Sequence, residues 1–260
     1  RFLAKRKSAK TAFCKEFPTM AHYNTVFHTL AKILPRHEID RLDRKYGQGD
    51  KRRKSSRYVQ FIVMLMAQIL GLKSLREIEQ AQKSKQKRLY HLGVKSPVSR
   101  SALSRMNDER SADFFKDVFQ QILQSCKALA LGSQFKLPHI SPEDQHEYHF
   151  IINAMHLPAQ TIEDIYKERW QIELFFKWGK QNLKIKTFLG TSANAVMTQV
   201  WIALCLYLIL AFLRFISKTV HSMREILNWI RINLFSNEIL DDYLILKMTE
   251  PIVNPQLALF

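Results

Sequence analysis

Hydrophobic positions recur along most of this chain with the three-to-four-residue spacing of helices. Tyr23, Val26, Phe27, Leu30, Ile33 and Leu34 fall on one helical face, and Pro35, which cannot continue a helix, closes it. A short second helix is predicted over His37–Tyr46, ended by Gly47 and followed by a charged link, Asp50–Arg57. Tyr58–Leu70 is apolar nearly all round, the pattern of a buried helix, and Gly71 breaks it. Ser74 and Glu77 have the S-x-x-E spacing of a capping box, which opens a helix with Leu75, Ile78 and Ala81 as its apolar stripe.

That helix begins a predicted DNA-reading unit. Lys83–Arg88 forms a basic turn, and Pro97 precedes a short helix starting at Ser99. Such a helix turns Arg100, Ser101, Ser104, Arg105 and part of the Asn107 side outward, with Arg suited to guanine and Asn to adenine in a major groove. A purely structural helical bundle fits the same pattern. Phe114–Leu131 is again amphipathic, Tyr148–Asn153 reads as a strand, and a further helix starts near Thr161. Val200–Leu213 is an apolar run of fourteen residues. A spanning helix needs about 20, so the run predicts a buried core helix and no membrane partner.

Composition narrows the class. Seven glycines and eight prolines in 260 residues favour a mainly helical protein over a turn-rich β sandwich, and 47% hydrophobic residues suffice for a core. A formal net charge of +17 points to a polyanion, either nucleic acid or an anionic membrane surface. A merely soluble basic protein is the plain alternative. Cys14, Cys126 and Cys205 lack any C-x-x-C spacing and suit a reducing cytoplasm. His139, His146, His149 and His156 lack carboxylate or cysteine partners at ligand spacing, so they predict no metal site.

Chemistry is concentrated in Tyr166, Arg169, Glu173 and Lys180, spaced Y-x2-R-x3-E-x6-K. On a helix these offsets stay within one narrow arc, because seven residues make almost two turns. A phenol, a guanidinium, a carboxylate and an ammonium in line suit a metal-binding carboxylate flanked by groups that hold phosphates. The same residues also fit a salt-bridged surface face, since Arg169–Glu173 and Glu173–Lys177 are i, i+4 pairs. The surrounding text from Tyr166 to Lys186, including Trp170, Phe175, Phe176 and Trp178, closely resembles the signature of insertion-sequence transposases of the IS-four family. Phe188–Val196 and Gln199–Leu204 look like family sequence too, of a kind that packs a core.

The resemblance implies a DDE transposase with a ribonuclease-H-like core and two Mg²⁺ ions. Glu173 would be its third catalytic, metal-binding carboxylate, and Tyr166, Arg169 and Lys180 would hold DNA phosphates. It also implies double-stranded insertion-sequence ends as partner, a homodimer or association with an intact transposase, and a bacterial cytoplasmic, nucleoid-associated location. The family pattern puts two Asp residues between the N-terminal helical domain and the Tyr-Arg-Glu-Lys helix. Here Gly132–Glu147 has sixteen residues, where the missing strands and crossover would take on the order of a hundred. Its acids, Glu143, Asp144 and Glu147, sit beside Pro and His with no hydrophobic strand to mount them.

The expected protein is therefore mainly α. A basic leader (1–19) precedes a helical DNA-binding domain (20–131), in which Lys51, Arg52, Arg53 and Lys54 also touch DNA. A link at an internal deletion (132–147) joins it to a truncated remnant of a ribonuclease-H-like α/β core (148–240) and a tail (241–260). The expected activity is binding of element ends without strand cleavage, with Mg²⁺ poorly held by Glu173 alone. A DNA-binding regulator that inhibits an intact transposase, or a membrane-associated helical protein using Val200–Leu213, are the rival expectations.

Overall fold

A computed structural model of the chain describes residues 25–47, 55–129 and 188–246, together with Lys177 and residues 179–181. The described residues are mainly helical and contain no strand. In chain order the helices are α1 (Val26–Lys32), α2 (Arg36–Tyr46), α3 (Arg57–Leu70), α4 (Leu75–Ser84), α5 (Gln86–Tyr90), α6 (Arg100–Glu109), α7 (Asp113–Leu129), α8 (Ala193–Ser217), α9 (Met223–Asn233) and α10 (Leu240–Leu246).

Local sequence sets the helix starts. Thr25, Ser56, Ser99, Ser192 and Ser222 each accept a backbone N–H of the first turn through the side-chain hydroxyl. Ser222 and Glu225 complete a reciprocal capping box. Ser74 caps Glu77 N–H, but the Glu77 carboxylate reaches one residue further back, to Lys73 N–H at 2.8 Å. Pro35 separates α1 from α2 and serves as the N-cap of α2.

Two apolar helices organise the packing. In α3 every residue except Val59 and Leu70 is buried. The longer α8 packs against α3, α6, α7, α9 and α10. Its 25 residues extend well beyond the predicted apolar run, and it is long and apolar enough to cross a membrane. In this fold most of its apolar stretch lies inside the protein instead. Aromatic contacts bind the layers: Phe61 of α3 stacks on Phe115 of α7 at 6.5 Å, and Phe119 of α7 meets Trp201 of α8 at 5.8 Å. Each fully buried phenylalanine contributes about 2–3 kcal/mol of burial free energy. One hydrophobic core thus draws on helices from both sides of the interval 130–187.

The predicted strand Tyr148–Asn153, the helix near Thr161, the leader and the link 132–147 lie outside the described residues. Residues 241–246, expected in the tail, form most of α10.

Candidate nucleic-acid interface

The basic surface is built on a sharp corner. α3 ends at Gly71 in the left-handed conformation (φ 68°, ψ 35°), which a residue without a Cβ adopts without strain. Gly71 N–H bonds to Gln68 C=O and Leu72 N–H to Ala67 C=O, closing the last turn of α3 as a Schellman motif. Four residues later α4 begins, and its axis is turned by 100° from that of α3.

α4 buries Ile78 and Gln82 and leaves Arg76, Gln80 and Lys83 exposed on the opposite side. The buried Gln82 amide holds the chain that leads into α6, accepting Val98 N–H at 2.9 Å and donating to Val98 C=O at 3.2 Å. Beside it, Glu79 accepts Arg100 N–H at 3.0 Å and pairs with the Lys83 ammonium at 2.8 Å. Those contacts, the Lys83 hydrogen bond first, hold the Glu79 carboxyl below its usual range. The start of α6 is thereby fixed against the middle of α4.

On α6, Arg100 and Arg105 are exposed, as the sequence predicts, and neither side chain makes a hydrogen bond or close ion pair among the described residues, although the Arg100 charge lies near Glu79. Asn107 is a correction. It is 2% exposed, and its Oδ1 accepts from Gln60 Nε2 at 2.9 Å. Leu103, Met106, Asn107 and Arg110 follow i, i+3, i+4, i+7, so Asn107 lies on the inward stripe and cannot reach a base edge. Arg110, also buried, donates to Gln60 Oε1 at 3.1 Å and to Ser55 C=O at 2.6 Å. A charged network therefore anchors the end of α6 to α3.

The first turn of α8 and its N-cap dock on the same end. Asn194 donates to the carbonyls of Asn107 and Arg110 at 2.8 and 2.6 Å and accepts Ala112 N–H at 2.9 Å. Ser192 donates to Asp108 at 2.6 Å. Lys180 is helical and exposed. Tyr166, Arg169, Glu173 and Lys51 to Lys54 lie outside the described residues.

No group of three or more His, Cys, Asp or Glu side chains that could hold a metal exists among the described residues. Two metal ions need several anionic oxygen ligands, and the described residues bring no such set together.

Sequence reasoning did not single out Arg76 and Gln80, although both lie opposite the Leu75, Ile78 and Ala81 stripe. The role of Asn194 has no local signal, because its partners lie more than eighty residues away.

Comparison with known proteins gives partial matches. Residues 22–95 match a family described as Domain of unknown function (DUF4372). A protein named as a transposase of insertion sequence element IS5377, from Geobacillus stearothermophilus, is 43% identical over 63 residues, 24% of this chain and 17% of its own. A protein named as transposase y4zB, from Sinorhizobium fredii, is 35% identical over 123 residues, 45% of this chain and 35% of its own. A protein named as a transposase of element IS4SA, from Synechocystis, is 41% identical over 54 residues, 21% of this chain and 16% of its own. The chain thus spans about a third or less of the length of these curated relatives. No solved structure matches it. The homologues and the DUF4372 match support a transposase.

Proposed function

We propose that this chain is a transposase-like protein of the IS-four family that binds insertion-sequence ends as duplex DNA and does not cleave them. The similarity to three proteins named as transposases, two of them of insertion-sequence elements, carries the reading. The net charge of +17 supports it, as do the exposed Arg100 and Arg105 on a helix fixed against α4. Lys51 to Lys54 add a basic run, and Tyr166, Arg169 and Lys180 form the second set of phosphate-holding groups. Such a partner puts the protein on the nucleoid of a bacterial cytoplasm.

Loss of cleavage follows from chemistry and length. Phosphodiester transfer by two metals needs three carboxylates in one constellation, and the sixteen residues of Gly132–Glu147 cannot mount two of them on a sheet. A chain that occupies element ends without cutting also competes with an intact transposase, which favours an inhibitory role.

Titration of the protein against duplex DNA at low and moderate salt tests the reading. Several neutralised phosphates make affinity fall steeply as salt rises. Absence of binding at low salt, or affinity that ignores salt, would reject duplex DNA as the partner.

A further inference from the structure

We propose that α4 is the helix that enters the major groove, with Arg76 and Gln80 reading bases and Arg100 and Arg105 of α6 holding flanking phosphates. The inference rests on the duplex-DNA reading and deepens it by naming the reading element.

The geometry comes first. Two helices joined by a three- or four-residue turn at about 90–120° make a helix-turn-helix, whose second helix is the one offered to DNA. Here the turn is Gly71–Ser74 and the angle is 100°. The first helix, α3, is sunk in the core, so the corner is rigid. The Schellman bonds at Gly71 and the Gln82–Val98 pair fix α4 at both ends.

Chemistry then selects the side chains. Both acids on α4 are already engaged. Glu77 accepts Lys73 N–H, and Glu79 holds Lys83 and Arg100 N–H. Arg76 and Gln80 are exposed, with no side-chain partner among the described residues. A guanidinium pairs bidentately with guanine O6 and N7, and a glutamine amide with adenine N6 and N7. The two residues are one turn apart, about 6 Å along the axis. That rise matches roughly two base-pair steps of about 3.4 Å.

α6 is less suited to reading. Its expected adenine reader, Asn107, is buried. The match to the DUF4372 family, residues 22–95, contains the α3–α4 corner and stops before α6.

The test is selection from a duplex pool with a randomised core, using the full chain. Arg76→Ala, Gln80→Ala and Arg105→Ala are then measured on the selected duplex and on the unselected pool, after circular dichroism has shown wild-type helix content. Arg76→Ala and Gln80→Ala should each lose about ten-fold or more on the selected duplex. Gln80→Ala, which removes no charge, should leave the unselected pool unaffected. Arg105→Ala should weaken both DNAs by the same factor. The proposal falls if Arg76→Ala and Gln80→Ala keep the wild-type preference, or if wild type selects no motif. In either case, salt-dependent binding of the unselected pool leaves duplex DNA standing as the partner, and loss of that binding too would remove both readings.

Discussion

Gln82 and Val98 are joined through the protein interior by two hydrogen bonds, side-chain amide to backbone amide, at 2.9 and 3.2 Å. The pairing is that of two strands, made by one glutamine. It satisfies both polar groups of a residue that is 3% exposed and ties the approach to α6 onto α4. Gln82→Leu fills similar space but leaves Val98 N–H and C=O buried without partners. Each orphaned group costs about 1–3 kcal/mol. Urea unfolding should show a loss of about 2 kcal/mol or more, and the Val98 amide proton should exchange faster in the variant.

Asn194 performs the corresponding service at the other end of α6. Its amide gathers the carbonyls of Asn107 and Arg110 and the N–H of Ala112, where the chain leaves α6 for α7. Asn194→Ala releases all three backbone groups, and the half-buried site admits some water in compensation. A loss of about 1–2 kcal/mol is expected in the same assay. Asn194→Asp should be no rescue, because a carboxylate accepts only and would face two carbonyls.

Helices were legible in this sequence wherever their apolar spacing is a local property. Tyr58–Leu70 needed only its own composition to read as a buried helix, and Ser99, just past Pro97, only its position to read as a helix start. Asn107 was misread because an amide was given an outward role by its chemistry. The residue that draws it inward, Gln60, sits 47 positions earlier in a mostly apolar helix. The two polar side chains answer each other, and neither is explicable alone. α8 was read as shorter than it is for the same reason. Asn194 and Gln199 look like breaks in an apolar run, yet Asn194 grips the α6–α7 junction, and Gln199 accepts Leu189 N–H at 3.0 Å. The corner at Gly71 was visible as a break, but its angle is a tertiary property, so the outward phase of Arg76 and Gln80 carried no meaning until α4 was placed.

Stability should depend on pH in the alkaline range through Tyr46. Desolvation, followed by its hydrogen bond to Asp117 at 2.8 Å, pushes the phenol from 10.0 up to about 12. The folded state therefore holds this proton more tightly than the unfolded chain does. The associated stability is complete below pH 10 and is lost as pH rises towards about 12. Tyr46→Phe removes both the proton and the hydrogen bond. The variant should be less stable than wild type at neutral pH, and the difference should shrink between pH 10 and about 12. A constant difference across that window would show that Tyr46 titrates alike in the folded and unfolded chain.

Cleavage is where the resemblance and the residues part company. The family chemistry needs three carboxylates, the resemblance matches Glu173 to one of them, and the sixteen residues of Gly132–Glu147 are too few for the strands that would carry two more. A single carboxylate competes poorly with water for Mg²⁺, which dehydrates reluctantly. Purified protein with Mg²⁺ or Mn²⁺ and a duplex carrying element ends should therefore give neither nicks nor strand transfer. Arg169→Ala should weaken binding of that duplex, since it removes a phosphate partner, whereas Glu173→Ala should leave affinity unchanged or slightly improved by removing a negative charge. Metal-dependent nicking abolished by Glu173→Ala would overturn this assignment. It would then require two further carboxylates, and Asp144→Asn and Glu147→Gln are the variants to test first, because those acids lie nearest in sequence to the expected strand.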